Sequence, residues 1–187
     1  RTGILHICVT NYLNSYVLPP VSSLFMKKFP GLTVSITEEG SSSLLNLLED
    51  NAIDITFNCG ALDTEKFDIT PVFLDTILLA VPISYINKNL LPYAMSKEDV
   101  LSKAYNKPST TPVNLSMFSD IPFILLSPQN NLYQRSMDFF AHANMKPRVV
   151  QVLDQLVTSY HFCCEGIGAT FIGSMLVSET INPNVLY

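Results

Sequence analysis

Apolar residues fall in short runs, and the spacing inside them switches between two periods. Ile4 to Val9 is an apolar run of strand length, closed by Thr10 and Asn11. Leu13, Tyr16, Val17, Val21, Leu24 and Phe25 then recur at helical spacing. Pro19 and Pro20 sit inside that pattern, so the helix is expected to kink or loosen there. Phe29-Pro30-Gly31 stops it. Leu32, Val34 and Ile36 alternate with polar residues as a strand does, Leu44 to Leu48 carries a helical face, and Ile53, Ile55 and Phe57 alternate again. Residues 1–58 therefore read β-α-β-α-β, which predicts a parallel sheet with right-handed crossovers.

Another apolar run, Val72 to Val81, follows, and then the pattern degrades. Ser96-Lys97-Glu98-Asp99 looks like a capped helix start. Lys107 to Asn114 has the composition of a loop. From Phe123 the pattern returns. Strands are expected at Phe123–Leu126, Val149–Leu153 and Ala169–Ile172, with helices over Leu132–Ala143, Gln155–Cys164 and Ser174–Glu179. Gly166 supplies a stop.

Composition narrows the class. Of 187 residues, 48% are hydrophobic and 14% charged, against an average near 25% charged. That excludes a disordered chain. The net charge is −5 with no run of Lys and Arg, so the chain has no basic face with which to read DNA itself. No stretch of roughly 20 apolar residues is present, so no membrane-spanning helix is expected. Cys8, Cys59, Cys163 and Cys164 form no CxxC pair, and His6, His142 and His161 are scattered, so no metal site is expected. The cysteines read as reduced and mostly buried.

Two segments carry a family resemblance. Gly3 to Phe57, with Gly3, Leu5, Leu18-Pro19, Phe25, Phe29-Pro30, Glu39-Gly40 and Ile53-Asp54-Ile55, resembles the opening of the effector-binding domain of LysR-type transcriptional regulators. Pro122 to Met175, with Pro122-Phe123-Ile124, Phe140, Pro147 and Gly166-Ile167-Gly168, is similar to its second half. The resemblance implies an α/β type 2 periplasmic-binding-protein fold: two Rossmann-like lobes with mixed, mainly parallel sheets, joined by two crossover strands. Lobe one would be residues 1–80 plus 175–187, and lobe two 81–174. Three features depart from the family. Ile86 to Leu90 replaces a usual His-Pro-Leu, the segment from about Lys88 to Thr111 is longer, and Gly173 stands where a Pro is usual. The family's winged helix-turn-helix would precede Arg1, and a further strand and helix would follow Tyr187.

Catalysis finds little support. No histidine occupies a turn at a strand's carboxyl end, and Glu38 and Glu39, adjacent on a strand, would point to opposite faces. Neither an enzyme nor a cofactor is expected. Binding finds more. Thr10-Asn11-Tyr12, Ser41-Ser42-Ser43 and Ser127-Pro128-Gln129-Asn130 are polar turns that each precede a helix, and helix starts offer free N–H groups. These hydroxyls and amides read equally as helix caps. The resemblance places the turns in a ligand cleft and adds Thr158 as a hydroxyl facing it; Asn58 is a further candidate. Arg1, Arg135 and Arg148 lie outside these turns, so a small monoanion or a neutral polar effector is expected, held by backbone N–H groups and neutral side chains. The resemblance further implies a cytoplasmic regulator whose DNA contacts lie in the missing N-terminal domain. It would form a homodimer through this domain, possibly a tetramer at full length, pairing helix one (Ser15–Phe29) with Leu132–Ala143 of a neighbour. The rival readings are an extracytoplasmic solute-binding protein, an enzyme on the same fold, and a redox sensor using Cys59 or Cys163.

Overall fold

The structure is a computed structural model and describes residues 2–59, 62–180 and 182–187. Internal contacts divide the chain into two compact units, Arg1–Leu74 and Asp75–Tyr187.

The first unit is built on three parallel strands, β1 (Gly3–Val9), β2 (Leu32–Glu38) and β3 (Ile55–Thr56), in the order β2-β1-β3. Register runs from Gly3 opposite Leu32 to Val9 opposite Glu38, and Ile7 faces Ile55. Strand alternation sends Ile7 and Val9 to one face, where they pack with Leu18, and Cys8 to the other, where it meets Leu44 and Ile53. The central strand is thus covered on both faces, as parallel sheets are. Complete burial of a side chain such as Leu18 contributes about 2 kcal/mol.

The expected first helix is two helices, α1 (Asn11–Tyr16) and α2 (Leu18–Lys28), broken at Val17. The prolines explain the break. Pro19 and Pro20 fall in the first turn of α2, where backbone N–H groups have no helical partner in any case, so two missing donors cost nothing. The third strand is shorter than its alternation suggests. Ile53 lies outside it and packs with α3 (Leu44–Glu49) instead.

The second unit holds an antiparallel trio, β7-β4-β8, made of β4 (Ile77–Pro82), β7 (Thr170–Gly173) and β8 (Val185–Leu186). It also holds a parallel pair, β5 (Pro122–Leu126) and β6 (Arg148–Leu153). Ala169 brackets the far side of β5: its N–H donates to the Pro122 carbonyl and its carbonyl accepts from Ile124, both at 2.8 Å. The connecting helices are α5 (Asn131–His142), α6 (Leu156–Cys164) and α7 (Ser174–Glu179). Phe123, Phe140 and Phe171 interlock beneath them. The Phe123 and Phe140 rings meet edge-on at 4.9 Å, and Phe140 meets Phe171 at 5.6 Å.

Between β4 and β5 the chain makes short 3-10 turns and one helix, α4 (Lys97–Leu101). The Ser96 capping box is present: Ser96 Oγ accepts from the Asp99 N–H, and the Asp99 carboxylate accepts from the Ser96 N–H. These bonds hold the Asp99 carboxyl below its ordinary pKa.

Candidate ligand-binding site

In the first unit all three strands point the same way, so the residues after β1, β2 and β3 share one edge. The order β2-β1-β3 reverses the direction of crossover at β1, and such a switch point opens a crevice beyond the strand ends. Thr10 follows β1 and Asn58 follows β3, so the two sequence candidates lie at the carboxyl edge of neighbouring strands.

Thr10 occupies the cap position of α1, yet its hydroxyl makes no cap bond. Asn11 and Tyr12 form the first turn of α1, with the Tyr12 ring edge-on to Tyr16 at 5.7 Å. Ser41 is buried and Ser42 is exposed, in the turn before α3. The residue at the cap position there is Ser43, whose side chain makes no cap bond either. Asn58 is half-buried and its Oδ1 accepts from the Cys59 N–H at 2.8 Å, which fixes the turn locally.

One residue here was weighed in the sequence for catalysis but not for binding. Glu38, the last residue of β2, accepts from Asn11 Nδ2 at 3.2 Å and from Asn14 Nδ2 at 2.6 Å. With its NH2 group committed, Asn11 turns its carbonyl oxygen away from Glu38 as an acceptor. The register of β2 carries the signal: alternation ends at Ile36, but pairing runs on to Val9–Glu38. Glu38→Gln is expected to tighten binding of an anion at this edge about two- to fivefold at low salt, since exposed charge pairs contribute below about 1 kcal/mol. The gain should fade as salt rises. Titration calorimetry at two ionic strengths checks it, with a neutral ligand expected to show no change.

In the second unit the pattern repeats on β5. Ser127 follows β5 and is held to β6 by its N–H, which donates to the Leu153 carbonyl at 2.9 Å; its carbonyl accepts from the Asn130 N–H. Asn130 caps α5, its Oδ1 accepting from the Leu132 N–H at 3.0 Å. The cap reading therefore holds for Asn130, while no hydrogen bond engages the Ser127 hydroxyl among the described residues. Gln129 is exposed. Thr158 is exposed in the first turn of α6. Arg148 donates to the Asp120 carbonyl at the start of β6, and Arg135 lies in the second turn of α5, so neither guanidinium is in a polar turn; Arg1 lies outside the described residues.

The cysteines are all free thiols. Cys163 is buried and donates to the Ala80 carbonyl at 3.4 Å, and burial pushes its thiol well up from the ordinary value. Burial raises Cys164 as well. Burial therefore disfavours, at both, the thiolate that redox chemistry needs. Cys59 is exposed. Among the described residues no group of His, Cys, Asp and Glu could hold a metal ion, and no helix is long and apolar enough to cross a membrane.

Parallel sheets whose carboxyl edges carry polar turns define a class of α/β ligand-binding domains. The family model for the LysR substrate binding domain matches residues 1–187, and the chain belongs to that family. It is similar to the HTH-type transcriptional regulator YcgK of Bacillus subtilis, 23% identical over 185 residues, covering 98% of this chain and 56% of that protein. The chain thus spans about half the length of this relative. Among solved structures it resembles the BenM effector binding domain with its effector benzoate, at TM-score 0.69 and 17% identity over 98% of this chain and 75% of that one. It also resembles the CcmR regulatory domain of Synechocystis PCC6803 in complex with 2-PG, at TM-score 0.70 and 15% identity over 99% and 79%. These likenesses establish the type 2 periplasmic-binding-protein fold.

Proposed function

We infer that this chain is the ligand-sensing part of a LysR-type transcriptional regulator. It binds a small anion or neutral polar effector at the carboxyl edges of its parallel strands and catalyses no reaction. The observation that carries this reading is the pair of hydroxyls, Thr10 and Ser127, that follow β1 and β5 and take no part in capping the helices behind them. A hydroxyl at a switch-point edge with no structural duty is available to a ligand. Family membership supports the regulatory role, and the benzoate and 2-PG complexes of the neighbours suit an effector of this size.

DNA contacts belong to a helix-turn-helix in the longer protein, which acts in the cytoplasm as a homodimer or tetramer. Apolar side chains exposed on α2, Val21, Leu24 and Met26, support pairing through that helix. On α5 the aromatic residues divide, with Phe140 in the core and Phe139 partly exposed. A ligand shifts such a regulator by its differential affinity for two states. The solute-binding and enzyme rivals gain no observation, and the buried thiols count against redox sensing through Cys163.

The test is a ligand screen by thermal shift, followed by calorimetry on Thr10→Ala and Ser127→Ala. Each is expected to weaken effector binding about tenfold, in line with about 1.4 kcal/mol for a hydrogen bond to an ionised group, with unfolding unchanged. Unaltered affinity in both variants would remove these turns from the site.

A further inference from the structure

We propose that the second unit carries an additional pocket, under the excursion between β4 and β5, that takes an uncharged, largely apolar small molecule with one hydrogen-bonding group. The pocket has a volume of about 440 Å³, within the roughly 300–1,000 Å³ of small-molecule sites. Ile77, Leu79 and Val81, on one face of β4, line it together with Leu186 of β8 and with Ile86, Leu90 and Phe118. None of the ten candidate residues at the polar turns lines it. The proposal is therefore independent of the effector reading.

The pocket is formed before any ligand arrives. Met95 and Tyr187 exchange both backbone hydrogen bonds, at 2.7 and 3.0 Å, stitching the excursion to the end of β8. The capping box at Ser96 and a bond from Lys97 Nζ to the Thr180 carbonyl at 2.8 Å hold the next turn in place. Thr110 Oγ1 donates to the Ala104 carbonyl and ties the loop at Thr110 to the turn at Ala104.

The lining sets the ligand class. It contains no Lys, Arg, His, Asp or Glu, so a charged ligand would lose its hydration without gaining a partner. The Tyr105 hydroxyl is paired with Ser174 Oγ, and Tyr187 with the Tyr160 hydroxyl at 2.7 Å. The Tyr93 and Thr111 side chains line the same pocket and form no hydrogen bond among the described residues. They are the two groups that can orient a ligand's hydroxyl while the aliphatic walls shed water around its body.

Met95 provides the reporter, because its side chain lies in the lining and the chain has 6 methionines. Protein labelled with carbon-13 at the methionine methyls is titrated with naphthol and, separately, with naphthoate; Met95→Leu assigns the signal. The expected result is a saturable shift of the Met95 methyl with naphthol and at least a tenfold weaker response to the carboxylate. Ala94→Phe, which fills the pocket at a half-buried lining position, should raise the naphthol Kd at least tenfold, and Ser127→Ala should leave it unchanged. A titration that leaves Met95 unmoved, or moves it equally with naphthoate, overturns the proposal whether or not Ala94→Phe folds. So does loss of naphthol binding in Ser127→Ala.

Discussion

Phe140→Ala is expected to destabilise the second unit by about 3–5 kcal/mol, the usual cost of removing a buried phenylalanine. The ring is 1% exposed and touches two others: Phe123 edge-on at 89° and Phe171 at 65°. Edge-to-face pairs of this kind add about 0.5–1.5 kcal/mol beyond burial, and truncation forfeits both pairs and leaves a cavity. Because Phe140 anchors α5 against β5, the loss falls on the helix whose start holds the Ser127 turn. Urea unfolding followed by far-ultraviolet circular dichroism should show the second unit's transition at lower denaturant, and thermal unfolding should show its melting temperature down by about 15–20 °C. A loss below about 1 kcal/mol would mean that the three rings do not form the core.

Gly168→Ala is the second large effect, expected at about 1–3 kcal/mol, the cost of overpacking. A Cβ built at Gly168 would lie 2.7 Å from the Pro122 carbonyl oxygen and 3.1 Å from its carbon. Backbone cannot rotate out of the way as a flexible side chain can. The clash would push apart the Ala169–Pro122 hydrogen bond that brackets β5. Gly166, two residues earlier, is required for a different reason: its φ is +82° with open space around it. Gly166→Ala should therefore cost only about 1 kcal/mol. Urea titration of the pair separates the two causes, and equal losses would contradict the close approach at Gly168.

The strands and helices of both units were legible where one period ran long enough to be counted. The strands from Ile4, Leu32, Phe123 and Val149 emerge within a residue or two of their expected starts. Legibility failed where local chemistry cut across the period. The proline pair divided one apolar stripe into α1 and α2. Ile53 kept its alternating position but gave its burial to a helix. The 3-10 turns around Ile83, Leu91 and Ala104 share no period with either regular structure, and β8, two residues long, is made only by pairing with β4. At the candidate site, composition pointed to polar turns, while the distinction between a hydroxyl that caps and one that does not is visible only in the hydrogen bonds. Glu38 was weighed on its strand only as half of a catalytic pair with Glu39; its bonds to Asn11 and Asn14 exist only once the strand and α1 are folded together.

That distinction divides labour along Ser127 to Asn130. Asn130 secures the helix and Ser127 does not. Substitutions at 127 can therefore accumulate without eroding α5, while position 130 is held by its structural task. On the proposed reading of Ser127 as an effector contact, a lineage could retune which metabolite it answers to through single changes at the first position, each starting from a folded parent. Under that proposal, recognition at this edge is evolvable because helix capping rests on the neighbouring Asn130.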